Sequence, residues 1–198
     1  MKKIAAAALL AALSASAFAA QGDILARFRI TNVNPQTSVD STLAALNVDV
    51  NDDTIPEVDF TYMFTNNIGA ELILGTSKHD ITASGTKIGS VRVLPPTLTA
   101  QYHFSPEGQF RPYVGAGINY TRFYSFKDQS NGLDLSIKKN SFGPALQVGV
   151  DIPVTKNIFI NFDVKKLWIK TKVKAGGADV GTLDIDPLVT SVGIGTKF

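Results

Sequence analysis

The sequence predicts an all-β chain, an eight-stranded antiparallel up-and-down transmembrane β-barrel, and three observations carry that expectation. From Asp23 onward apolar residues recur at alternate positions, the spacing that sends successive side chains to opposite faces of a strand. The intervals between these alternating segments are short and long by turns. Beyond the N-terminus no uncharged apolar run reaches the ~18 residues that a transmembrane helix needs.

The N-terminus points to export. Met1, Lys2 and Lys3 form a basic start, residues 4–13 are an apolar run, and Ala17-Phe18-Ala19 is a small-x-small site. So short a run cannot cross ~30 Å of hydrocarbon, so residues 1–19 read as a cleaved secretory signal and residues 20–198 as the mature domain. The chain has 19 basic and 17 acidic residues, and Lys2 and Lys3 account for the difference. The mature protein is therefore balanced in charge, and a nucleic-acid partner has no electrostatic support. With no cysteine, neither a disulfide nor a thiolate site is available. A composition of 44% apolar and 18% charged residues, with 12 Phe and 5 Tyr, argues against disorder.

Eight alternating segments follow in order. The first sets Ile24, Ala26, Phe28 and Ile30 against Arg27, Arg29 and Thr31. In the second, Val58, Phe60, Tyr62 and Phe64 alternate with Glu57, Asp59, Thr61 and Met63, and in the third Ile68, Ala70, Leu72 and Leu74 oppose Glu71 and Ile73. A fourth is expected from Leu94 to Phe104, with Thr97, Thr99, Gln101 and His103 on its polar face. Val114, Ala116, Ile118 and Tyr120 mark the fifth, and the sixth runs from Phe142 to Ile152 against Gln147 and Asp151. The seventh sets Ile158, Ile160, Phe162 and Val164 against Asn161, Asp163 and Lys165, and the last alternates from Leu188 to Phe198.

The connections after segments two, four and six are short, around residues 65–67, 105–110 and 153–157. Those after one, three, five and seven are long and polar, roughly residues 33–53, 76–92, 125–141 and 172–186. Short turns at one end and long loops at the other are the pattern of an outer-membrane barrel with periplasmic turns and extracellular loops.

A soluble up-and-down barrel would also give eight strands, but its apolar face would point inward. Here the polar face holds Arg27, Arg29, Glu57, Asp59, Glu71, Asp163 and Lys165, while the other face is almost uncharged. Such charges fit a narrow lumen where they pair as a salt-bridge lattice, with the apolar face toward outer-membrane lipid. Glycines on the polar face, such as Gly149 and Gly195, leave room for large neighbours in so narrow a barrel. Tyr62, Phe64, Tyr102, Phe104 and Phe198 near one end, and Tyr120, Phe123, Tyr124 and Trp168 near the other, fit two interfacial girdles.

Several stretches, taken in order along the mature chain, resemble the OmpW family of Gram-negative outer-membrane proteins. They are Phe60-Thr61-Tyr62-Met63, Asn67 to Leu72, Leu94-Pro95-Pro96-Thr97-Leu98, the specific Arg111-Pro112-Tyr113-Val114-Gly115-Ala116-Gly117-Ile118-Asn119-Tyr120-Thr121, Gln147 to Asp151, Asp186-Pro187 and the terminal Phe198. The resemblance implies an integral outer-membrane barrel with a narrow, partly hydrophobic lumen that passes small hydrophobic compounds. It also makes Phe198 a terminal signal for the barrel-assembly machinery.

Apolar residues on the inner face are few: Ile73, Leu167, Ile169, Met63 and Phe159, with the inner face an alternative to the girdle for Phe123. Ile73, Leu167 and Ile169 are expected toward the outer end, where they would either constrict the lumen or simply fill it. Lys165 also faces inward, with Asp163 or Glu71 as its expected neutralising partner.

His79 and His103 lack the spacing of a metal site, so no metal or cofactor is expected. An enzyme would need a nucleophile, base and acid converging at one end. His103 and Ser105 are close in sequence but no acid accompanies them, so no catalytic residue is assigned. A surface receptor or adhesion barrel with a plugged lumen, acting through its long loops, remains the alternative to a channel.

Overall fold

In this computed structural model the described residues are 20–198, and the expected signal segment, residues 1–19, lies outside them. Sixteen elements follow one another: β1 (Ile24–Asn34), β2 (Ser38–Val39), the single turn α1 (Ser41–Ala44), β3 (Val48–Val50), β4 (Asp53–Met63), β5 (Ile68–Gly75), β6 (Ser77–Ala83), β7 (Thr86–Leu94), β8 (Thr97–His103), β9 (Arg111–Asp128), β10 (Leu135–Ile137), β11 (Asn140–Pro153), β12 (Ile158–Leu167), β13 (Lys170–Ala175), β14 (Ala178–Asp184) and β15 (Leu188–Lys197).

Eight of them close a barrel among the described residues, in the ring β1, β4, β5, β8, β9, β11, β12, β15 and back to β1. Every pairing in the ring is antiparallel. Closure removes the free edges that a bilayer would leave unsatisfied. The two termini meet at the seam, where Phe198 and Ile24 exchange backbone hydrogen bonds of 2.9 and 3.1 Å.

Alternation decides which face is which. On β1 Arg27 and Arg29 are 1% and 0% exposed while Phe28 and Ile30 are 51% and 50% exposed, so charge lies inside and apolar surface outside. A soluble barrel would reverse this. At the short-turn rim the outward rings of Tyr62 and Phe64, and of Tyr102 and Phe104, pack edge to face at 5.1 and 5.0 Å.

Three expectations need correction. The expected fourth strand does not start at Leu94: that residue ends β7, and β8 begins at Thr97. Pro95 and Pro96 between them have no backbone N–H to give to a ladder. Phe123 is not a girdle residue, because β9 runs on to Asp128 and turns that ring inward, 2% exposed.

The third correction concerns the long connections, which are not irregular polar loops. They build a second tier: β6 and β7 pair as a hairpin with β3 alongside β6, while β10, β13, β14 and β2 form a four-stranded sheet. Two-residue turns close both hairpins, Ser84-Gly85 with φ of 48° and 79° and Gly176-Gly177 with φ of 55° and 81°. Positive φ at both central residues gives the turn whose twist matches the flanking strands. The tier's inner positions carry Ile81, Val91, Val93, Leu183 and Ile185, all buried.

Candidate functional site: a salt-bridged lumen beneath an apolar chamber

The middle of the barrel is occupied by charge. Arg27 and Arg29 on β1 stand directly opposite Asp59 and Glu57 on β4, the pairing that favours opposite charges. Arg27 Nη1 lies 2.9 Å from Asp59 Oδ1, and its Nη2 reaches across the lumen to Asp151 Oδ2 at 2.8 Å. Arg29 contacts Glu57 Oε1 and Glu71 Oε1, each at 3.1 Å. Lys165 Nζ is 2.8 Å from Glu57 and 3.0 Å from Asp163. Asp163, not Glu71, is thus its second partner.

Uncharged side chains complete the lattice. Gln101 and Gln147 each donate to Glu71 Oε2 at 2.8 Å, and the Tyr113 hydroxyl donates to Asp163 Oδ2 at 2.7 Å. Asn161 donates to Asp151 at 2.7 Å and accepts from Arg29 Nε at 2.8 Å. Buried charges are tolerable when paired and hydrogen-bonded in this way. Tyr113 fits because Gly149 lies beneath it, where a Cβ would enter the ring. The guanidinium of Arg27 sits 5.4 Å from the ring centroids of both Tyr113 and Phe159.

The five apolar lumen residues separate into two groups. Met63 and Phe159 join Leu25 in a fully buried cluster toward the short-turn end. Ile73, Leu167 and Ile169 lie on the other side of the lattice, and they line a chamber with Ile81, Val91, Val93, Phe123, Leu183, Ile185 and Val189. Glu57 and Lys165 border that chamber. Its free volume is about 50 Å³. That is smaller than the roughly 150 Å³ apolar cavity that takes a benzene-sized guest, so a larger solute must displace the lining.

A second apolar groove of about 400 Å³ lies among the second-tier strands, between Leu43, Leu46, Ile88, Phe126, Leu133 and Val173. It shares Ile81, Ile137 and Leu183 with the chamber, so these three side chains stand between the two spaces. Most of this lining was missed from sequence, although Leu183 and Ile185 alternate with Asp184 and Asp186 as regularly as in a barrel strand.

The histidines are buried and locally bonded. His79 contacts Asn51 O at 2.7 Å and Ser77 Oγ at 2.8 Å. His103 Nε2 lies 2.9 Å from Gln101 Oε1 and its ring stacks on Tyr113 at 5.1 Å. Ser105 is exposed outside the barrel interior, so the structure does not bring it together with His103.

A family model described as the OmpW family matches residues 20–198. The chain belongs to the OmpW family. Outer membrane protein W of Escherichia coli is 41% identical over 213 residues, covering 100% of each chain. The "Dibenzothiophene metabolism operon protein PahQ" of Pseudomonas aeruginosa is 32% identical over 160 residues, 76% of this chain and 74% of that protein. Among solved structures, the outer membrane protein OprG of Pseudomonas aeruginosa superposes with a TM-score of 0.79 at 29% identity, covering 90% of this chain and 97% of that one. This OmpW-family barrel is accordingly an integral protein of the Gram-negative outer membrane. Its short turns face the periplasm and its second tier stands outside the cell.

Proposed function

We propose that the barrel is a narrow channel that takes up small hydrophobic molecules through its extracellular end. The observation that carries this reading is the apolar chamber set directly above the salt-bridged lattice. A chamber lined by Ile73, Phe123, Leu167, Ile169 and Val189 offers an apolar solute what water cannot. The outer groove supplies an antechamber, and a solute passes from it by moving Ile81, Ile137 or Leu183 aside. Below, the paired charges fill the lumen and close the straight path to water and ions, so the solute leaves above Glu57 and Lys165. The name of the relative PahQ adds support, since dibenzothiophene is a small apolar molecule.

The reading is non-enzymatic, which membership of the OmpW family supports. It takes residues 1–19 as the removed signal, and Phe198, 75% exposed at the periplasmic rim, as the group offered to the assembly machinery. Binding of a small apolar fluorophore to the refolded protein tests the chamber. Replacing Leu167 and Ile169 with Asn should weaken binding about tenfold or more, since each buried aliphatic side chain contributes ~1.5 to 3 kcal/mol. Unchanged binding would remove the chamber from the account and favour a receptor role for the extracellular tier.

A further inference from the structure

On β9, β11 and β12 the lipid-facing apolar residues run outward as far as Tyr120, Phe142 and Val164. The next outward positions are Arg122, Asn140 and Lys166. Just beyond, β13 alternates so that Thr171 and Val173 turn inward while Lys170, Lys172 and Lys174 are exposed on its outer face. Lys138 is exposed beside them and donates its backbone N–H to Lys172 O at 3.0 Å. Lys138, Lys170 and Lys172 share an outward groove of about 590 Å³ with Tyr120, Asn140 and Phe142.

The protein neutralises this face only in part. On β14 Asp184 and Asp179 stand opposite Lys170 and Lys174, and Lys172 has one exposed contact with Asp179 at 3.3 Å, but the groove itself is lined by three lysines and no carboxylate. Like charges at alternate strand positions stand about 7 Å apart and repel, and like charges facing each other across strands are unfavourable. A cationic groove directly above lipid-facing Tyr120 and Phe142 lies at the level of the outer-leaflet headgroups.

We propose that this groove binds the phosphate groups of an outer-leaflet glycolipid, with lysine ammonium groups on the phosphates and Tyr120 and Phe142 against the start of the acyl chains. Charge complementarity selects the headgroup, and the adjoining apolar surface selects a lipid over a free anion. The groove opens outward and is separate from the chamber inside the barrel.

The test is native mass spectrometry of the refolded protein in detergent, offered bis-phosphorylated lipid A, its dephosphorylated form, or inorganic phosphate. Wild type should retain lipid A, and Lys138→Gln/Lys170→Gln/Lys172→Gln should retain about tenfold less. Dephosphorylated lipid should bind as weakly as that variant does to lipid A. The control Lys78→Gln/Lys87→Gln/Lys156→Gln, with the same charge removed elsewhere, should bind as wild type does. A single Lys170→Gln change, with an intermediate loss, keeps the test open if the triple variant refolds poorly by heat-modified gel migration. Equal lipid A binding by wild type and the groove variants, or an equal loss in the control, would overturn the proposal. Displacement of the lipid by millimolar phosphate would make this a free-anion site and overturn the lipid assignment.

Discussion

Arg27 and Asp151 stand 124 positions apart in the chain yet meet in the lumen through two contacts, Nη2 to Oδ2 at 2.8 Å and Nε to Oδ1 at 3.3 Å. This fork joins β1 to β11, which are not neighbours in the barrel ring. With Lys165 to Glu57 it crosses the lumen where a pore would otherwise lie. Four buried cations, Arg27, Arg29, Lys165 and Arg111, the last opposite Asp151 on the neighbouring strand, face five carboxylates, Glu57, Asp59, Glu71, Asp151 and Asp163.

Arg27→Met should therefore destabilise the barrel by ~3 to 5 kcal/mol, because buried Asp151 would lose its forked partner and Asp59 would keep only Arg29, at 3.1 Å. Lys172→Met, which removes an exposed pair with Asp179, should cost no more than ~1 kcal/mol. Urea unfolding of both variants in lipid vesicles checks the difference, and equal midpoints would mean that the lattice is not dry.

The facing of the strands predicts an asymmetry at the bilayer midplane. Phe162 is outward at mid-height on β12, 46% exposed to what is lipid in the membrane. Phe162→Arg should cost ~2 to 4 kcal/mol, while Gln129→Arg, exposed on the extracellular tier, should stay within ~0.5 kcal/mol. A comparable loss at both positions in the same unfolding assay would refute the assigned membrane level.

Gly149→Val should disturb the lattice without touching a charge. Its side chain would enter the space of the Tyr113 ring, whose hydroxyl serves Asp163, Arg29 and Asn161. Overpacking of this kind costs ~1 to 3 kcal/mol. Ala116→Val, facing lipid on β9, should be nearly neutral, and thermal unfolding of the pair reads the contrast.

These contrasts also show which parts of the molecule sequence could reveal. Barrel strands announce themselves because lipid demands an unbroken apolar face: Val192 and Ile194 alternate with Ser191 and Gly193, and no loop reading competes. Lumen charges were legible as a set for the same reason. Their partners across the barrel were not, since Arg27 meets Asp151 only after the ring closes through strands remote in sequence. The extracellular tier was hidden because its outer face meets water, so Lys170, Lys172, Asp184 and Asp186 lend it a loop's polarity around the inward Ile169, Leu183 and Ile185. Without that tier, the apolar chamber reduced to Ile73, Leu167, Ile169 and Phe123.

The most direct measurement of the central claim is uptake of a small apolar compound into liposomes, made beside planar-bilayer ion conductance on the same refolded protein. The account predicts uptake with little conductance, and a several-fold slower uptake after Ile73→Ser/Leu167→Ser/Ile169→Ser. Steady ion conductance in the wild type would contradict a lumen closed by the Arg27, Arg29 and Lys165 lattice. Uptake no faster than through protein-free lipid would contradict the channel itself.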